Sequence, residues 1–149
     1  MSDYKAKFTV IPCAVCGQLV DVDNFGQGYC KHCGWHQDEM CLEYPNQVEY
    51  PNMVSYNKAK ALYKQGLPLK PSLDDFIAGL KYYKEMEFEY DGMLYGVLWS
   101  EQIELGEYFE KDPAKWQYFD DFEGFKQGAQ IGGKLLKDIW DDVTNADYM

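Results

Sequence analysis

The sequence contains no arginine. All 14 of its basic residues are lysines, set against 25 Asp and Glu, for a net charge of −11 over 149 residues. This disfavours nucleic-acid binding through the phosphate backbone, which needs a basic face and draws on arginine for bidentate phosphate or guanine contacts. No apolar run approaches the ~18 residues of a membrane span, and the start MSDYKAKFTV lacks the apolar centre of a secretory signal. A cytoplasmic protein is expected. Low-complexity tracts and repeats of solenoid length are missing, as are G-x-S-x-G, a Walker loop, G-x-G-x-x-G and H-E-x-x-H. Gly132-Gly133-Lys134 has neither the spacing nor the hydroxyl of a phosphate loop. The adjacent carboxylates Asp120-Asp121 and Asp141-Asp142 read as solvated faces, because neighbours on a helix point to different sides. The expectation is therefore that the chain is not an enzyme.

What is present argues for a folded chain. An apolar content of 46%, with 17% aromatic residues, is too high for an acidic disordered tail. The length suffices to bury a core without disulfides. Residues 1–66 hold six Lys and seven acidic residues, net −1, and residues 67–149 hold eight Lys and eighteen acidic residues, net −10. Between them, Gly66-Leu67-Pro68-Leu69-Lys70-Pro71-Ser72 cannot continue a helix and fits a short, stiff connector. Two modules are expected, 1–66 and 67–149.

Five cysteines are an awkward number for a secreted disulfide framework, and in a reducing compartment paired cysteines bind metal or do redox work. Cys13-Ala14-Val15-Cys16-Gly17 and Cys30-Lys31-His32-Cys33-Gly34 are two C-x-x-C-G units. Each such turn aims two thiolates at one point, and the following Gly suits the positive φ that closes it. Four soft ligands in a tetrahedron suit Zn(II) at about 2.3 Å per Zn–S bond and leave no open position, so the site would be structural. Iron in a rubredoxin-like site would use the same ligands. A redox role is disfavoured because no βαβ pattern surrounds either pair. With four Cys completing the shell, His32 and His36 are expected at the surface or behind the ligands, and Cys41 as a partly buried free thiol.

Around these units, Phe8 to Ile11 and Gln18 to Val22 read as strands, and Asn24 to Gly28 as a turn. Ser55 is a candidate N-cap for a helix through Lys64 that Gly66 stops, with Ala59, Leu62 and Tyr63 sharing a face against the cysteine loops. In the second module, Ser72 and Asp75 form a capping-box pattern for a helix to about Lys84 that buries Leu73, Phe76, Ile77 and Leu80. Glu85 to Tyr90 alternates, Asp91-Gly92 is a hairpin signal, Met93 to Trp99 returns, and Gln102 to Phe109 continues the meander. Phe119 to Gly128 is expected as a short helix. A last helix is expected from Gly133 to Val143, burying Leu135, Leu136, Ile139, Trp140 and Val143. The fold class is α+β, a four-cysteine zinc ribbon with a short helix joined to a small antiparallel sheet flanked by helices.

Residues 11–66 resemble the cysteine-rich CPCC-type family of small bacterial zinc-binding modules. The correspondence runs through Cys13 to Gly17, Tyr29 to Trp35, and Val54-Ser55-Tyr56 with Ala59. Ala14-Val15 replaces the Pro-Cys that names that family, and Gly34 stands where an aromatic residue is common. The second module is similar, more loosely, to small α+β modules encoded beside bacterial polymorphic toxins. It matches them through Phe88, Tyr90, Gly92 and Tyr95, and through Ile131, Gly133, Leu136, Ile139, Trp140, Asp141 and Val143. The resemblance implies a structural zinc ion on Cys13, Cys16, Cys30 and Cys33, and an immunity-type or accessory binding role.

Charge suggests the same kind of partner. An acidic surface with an aromatic centre can steer and hold a basic protein, and a toxin such as a nuclease has a basic cleft. Glu107, Tyr108, Glu110, Trp116, Asp120 and Asp121 are the expected contact residues. The alternative is a zinc-ribbon nucleic-acid-binding or regulatory adaptor protein, for which Lys31 with Lys58, Lys60 and Lys64 are the local basic features. Neither a small-molecule substrate nor a membrane is expected as a partner.

Overall fold

A computed structural model of the chain describes residues 9–148. The chain forms two compact units, Met1–Leu69 and Lys70–Met149, dividing within the Gly66–Ser72 connector.

The first unit holds two short antiparallel hairpins. Strands β1 (Thr9–Pro12) and β2 (Leu19–Val22) form one, and β3 (Gly28–Tyr29) and β4 (His36–Gln37) the other. Phe8, expected to open the first strand, lies outside the described residues. The hairpins approach so closely that a Cβ on Gly28 would sit 2.1 Å from the Asp21 carbonyl oxygen. Only glycine fits there.

A five-residue helix, α1 (Glu39–Glu43), follows with Asp38 as its cap, then α2 (Tyr56–Lys64). Ser55 caps α2 by accepting from the Lys58 N–H. Gly66 ends it at φ 72°, with Gly66 N–H donating to Tyr63 C=O and Leu67 N–H to Leu62 C=O. That pair of bonds satisfies carbonyls that a helix end otherwise leaves open. Helix α2 lays Ala59 and Tyr56 into a small core with Cys13, Val20, Val22, Cys30, Trp35 and Val54, and the Tyr56 hydroxyl donates to Ala14 C=O at 3.0 Å. Tyr63 does not join that face. It is 37% exposed and meets the His32 ring edge-on at 6.3 Å.

The second unit is a five-stranded antiparallel sheet whose strands lie in the spatial order Thr144–Tyr148, Glu85–Tyr90, Met93–Trp99, Ile103–Glu107 and Gln117–Phe119, with helices on one face. Helix α3 (Leu73–Tyr83) starts with a full capping box between Ser72 and Asp75 and ends at Lys84 in the left-handed region. It buries Leu73, Phe76, Ile77 and Leu80. Strands β5 (Glu85–Tyr90) and β6 (Met93–Trp99) join through Asp91-Gly92, both at positive φ, the geometry a tight hairpin requires. Strand β7 is Ile103–Glu107, shorter than the Gln102 to Phe109 expected. Alternation and register put Met86, Phe88, Tyr95, Val97, Leu105, Ile103 and Phe119 on the helix-bearing face, and Glu85, Glu87, Glu89 and Glu104 on the other.

Two expectations fail in the last third. Phe119 belongs to strand β8 (Gln117–Phe119), so helix α4 is only Phe122–Gly128, capped by Asp121. No helix runs from Gly133 to Val143. Gly132 and Gly133, both at positive φ, turn a miniature hairpin of β9 (Gln130–Ile131) and β10 (Lys134–Leu135). One α-turn, α5 (Leu136–Ile139), and a 3₁₀ turn over Trp140–Asp142 follow. The apolar spacing of Leu136, Ile139, Trp140 and Val143 is satisfied because all four are buried, with Leu135 half-buried. Paired glycines in front and acidic Asp141-Asp142 at the end, where a helix dipole disfavours anions, allow no longer helix. The chain then closes the sheet with β11 (Thr144–Tyr148), an edge strand whose register shifts between Thr144 and Asp147.

Trp140 joins the ends of this unit. Its ring packs 5.1 Å from Phe76 and 6.0 Å from Phe88, its Nε1 donates to Pro71 C=O at 3.0 Å, and its own C=O accepts from Lys70 Nζ.

Candidate metal centre

The two C-x-x-C-G units fold alike. In each, the Gly N–H donates to the carbonyl of the first Cys, Gly17 to Cys13 at 2.9 Å and Gly34 to Cys30 at 2.8 Å. In each, the N–H of that first Cys donates across the loop, Cys13 to Gln18 C=O and Cys30 to Trp35 C=O. Gly17 and Gly34 stand at φ 80° and 86°, where a side chain would be strained. The matching loops converge, and the Sγ atoms of Cys13, Cys16, Cys30 and Cys33 all lie within 4.8 Å of one another.

Cys13 approaches Cys33, and Cys16 approaches Cys30, each at 3.6 Å, two contacts that join one knuckle to the other. For a metal with four sulfurs at 2.3 Å, a regular tetrahedron has S···S edges of about 3.8 Å. The donor set and its spacing fit a thiophilic cation. These four residues would hold it, and their closed shell leaves it a folding role rather than a reacting position.

The thiols are electrostatically unequal. Burial raises the Cys13 thiol, but the Cys16 and Val15 backbone N–H groups, the Gln37 amide and the Cys33 thiol more than offset this, bringing it from 9.0 down to about 7. Burial pushes Cys33 well up, and the thiols of Cys13, Cys30 and Cys16 add to the effect. Cys16 is also raised, first by burial. Cys13 therefore ionises more readily than Cys16 or Cys33 in the metal-free cluster. A cation supplies what the other thiols lack, a positive charge that favours their ionised forms.

Two polar residues behind the cluster have no local sequence signal. Gln37, 3% exposed, donates to Cys13 Sγ at 3.2 Å and accepts from Ala14 N–H at 3.0 Å. Asn52 accepts from His36 N–H and donates to His36 C=O, bracing the outer strand of the second hairpin, and reaches Cys41 Sγ at 3.6 Å. Cys41 is buried, with its thiol raised chiefly by that burial, and it is not part of the cluster. His32 and His36 are likewise not part of it. His32 is exposed and His36 half-buried.

The six expected contact residues divide between the two ends of the β7–β8 hairpin. Glu107 is the last residue of β7, and Tyr108, Glu110 and Trp116 belong to the loop that joins the strands, with Trp116 laid over Gly106 and donating from Nε1 to Glu110 C=O. Asp120 and Asp121 follow Phe119, which pairs with Ile103 at the other end of β7, about 13 Å away at ~3.3 Å per residue. Asp120 accepts from Gln102, and Asp121 accepts from Gly124 N–H at 2.6 Å as the cap of α4.

Compared with known proteins, the chain matches no family model, no curated protein and no solved structure. No helix among the described residues is long and apolar enough to cross a membrane.

Proposed function

We propose that the protein is a non-catalytic bacterial immunity-type protein that acts in the cytoplasm. In this reading it binds a basic protein toxin, of which a nuclease is the best chemical match, and blocks it. A structural Zn(II) on Cys13, Cys16, Cys30 and Cys33 makes the first unit a zinc ribbon, as its likeness to CPCC-type modules implies. The ion is a staple for a unit with short strands and a small apolar core.

The observation that carries the reading is the β7–β8 loop. The second unit keeps the whole −10 of residues 67–149, because residues 67–69 are uncharged. Within that field the end of β7 and the loop after it present Glu107, Tyr108 and Phe109 from a frame held by its own hydrogen bonds, with Phe109 80% exposed. Net charge attracts a basic partner from a distance, and exposed aromatic groups on an ordered loop supply contact area at small entropic cost.

The test is co-purification from the native cell, identification of the bound protein, and reconstitution. A basic toxin should lose activity when mixed stoichiometrically with the protein, and a Glu107→Lys, Phe109→Ser variant should protect poorly while remaining folded. Full protection by that variant would remove this surface from the reading. Fluorescence anisotropy showing sub-micromolar, salt-dependent binding to DNA or RNA would instead favour the adaptor alternative.

A further inference from the structure

A cleft of about 310 Å³ opens beside the β7–β8 loop, and Tyr95, Glu107, Glu110, Lys115, Gln117 and Gln130 supply its polar lining. Most of these groups are already engaged. Gln117 uses both ends of its amide on the Gln130 backbone, accepting at 2.9 Å and donating at 2.6 Å. Glu110 accepts from Asp112 N–H and lies 3.7 Å from Lys115 Nζ. Glu107 differs: among the described residues its carboxylate makes no hydrogen bond or ion pair. The lining thus carries two carboxylates and one ammonium, and that ammonium is committed to Glu110.

Tyr95 stands directly opposite Glu107 in the β6–β7 ladder, so both side chains leave the same face of the sheet. Burial, then Glu107 and Asp91, push its phenol up, which keeps it a neutral hydroxyl that accepts one hydrogen bond. The loop above is braced by Glu110 N–H on Glu107 C=O, Trp116 Nε1 on Glu110 C=O and the Tyr118 hydroxyl on Pro113 C=O. Next along the chain from Glu107, the exposed Tyr108 and Phe109 rings meet edge to face at 4.9 Å.

We infer that this cleft receives an arginine side chain from a protein partner, its guanidinium held between Glu107 and Tyr95, with an apolar neighbour of that arginine lying on Phe109. A planar group with five N–H donors spans a carboxylate and a phenol at once, which a compact ammonium cannot do equally well. The chain has no arginine of its own, so the group arrives from another molecule. The inference rests on the protein-binding reading above and names the chemistry it selects.

The experiment is a titration of the full chain with argininamide, followed by ¹H–¹⁵N correlation spectra, with lysinamide and the uncharged isostere citrullinamide as comparators. Saturable shifts clustered at Glu107, Gln117 and Gln130 are expected with argininamide, weaker ones with lysinamide and none with citrullinamide. Glu107→Gln should weaken argininamide about tenfold, the scale of one charge-assisted hydrogen bond, while leaving the rest of the spectrum in place. Equal shifts from citrullinamide, affinity unchanged in Glu107→Gln, or lysinamide binding as tightly would each overturn the assignment. The two readings fail separately. A toxin neutralised equally well by Glu107→Gln removes the arginine cleft and leaves the immunity role. Argininamide seated at Glu107 in a protein that blocks no toxin does the reverse.

Discussion

Gln37 donates its side-chain amide to Cys13 Sγ at 3.2 Å from a position 24 residues further along the chain. The same side chain accepts from Ala14 N–H, so it fixes both the charge and the backbone of the first knuckle. Replacing it with Leu should leave the four ligands in place but weaken metal binding by about tenfold, the lower end of what lost outer hydrogen bonds cost a metal site. Competition with a chelator of known affinity measures this. Unchanged affinity would mean the amide only fills space.

Four thiolates around one ion also predict stoichiometry and spectrum. The purified protein should hold one equivalent of tightly bound metal, and cobalt substitution should give the intense visible bands of tetrahedral thiolate coordination. Cys30→Ser or Cys33→Ser should lose those bands and unfold the first unit while the dispersed signals of the second persist. A first unit that keeps its fold after complete chelation would contradict the structural role.

The unequal thiols give the pH dependence a specific shape. Metal affinity should rise with pH, because bound cysteines must be deprotonated. Below about pH 7, Cys13 carries its proton in the metal-free chain and releases it on binding. Above that value Cys13 is already ionised, while Cys16 and Cys33 are not. The number of protons released per metal should therefore drop by one as pH rises through about 7. Calorimetry in two buffers of different ionisation enthalpy counts them.

Gly28 and Ser72 test the frames of the two units. Gly28→Ala drives a Cβ into the Asp21 backbone, a contact that cannot be relieved by rotating a side chain, and should cost the first unit about 3 kcal/mol or more. Ser72→Ala removes half of the α3 capping box and should cost the second unit about 1 kcal/mol. Thermal unfolding followed by spectra that resolve the two units reads both, and each change should act on its own unit.

Local chemistry made much of this legible in advance. The Ser72–Asp75 box, the Asp91-Gly92 turn, the stop at Gly66 and the two knuckles each rest on residues within a few positions of one another, where φ preferences and short-range hydrogen bonds decide. The failures come from competition beyond that range. Leu136 to Val143 has the spacing of a helix, yet Gly132-Gly133 turns a hairpin in front of it and the chain beyond is drawn onto the free edge of β5. Thr144–Tyr148 shows no alternation because an edge strand need not bury a face.

Asp121 marks the same boundary between local and distant information. As a residue type it reads as surface charge, and only the position of α4 makes it a cap. Replacing it therefore tests helix stability as well as any contact with a partner, which makes Glu107 the cleaner probe.

The sequence by itself determined the four-cysteine cluster, the Ser55 and Ser72 caps, the tight turn and the uneven charge, because each depends on residue type and short spacing. Tertiary structure alone decided that Gln37 faces Cys13, that Asn52 braces His36, and that Glu107 stands opposite Tyr95 without a hydrogen-bond or ion-pair partner among the described residues. These pairs lie far apart along the chain, and it is strand register and packing that bring them within reach of a hydrogen bond or of the same cleft.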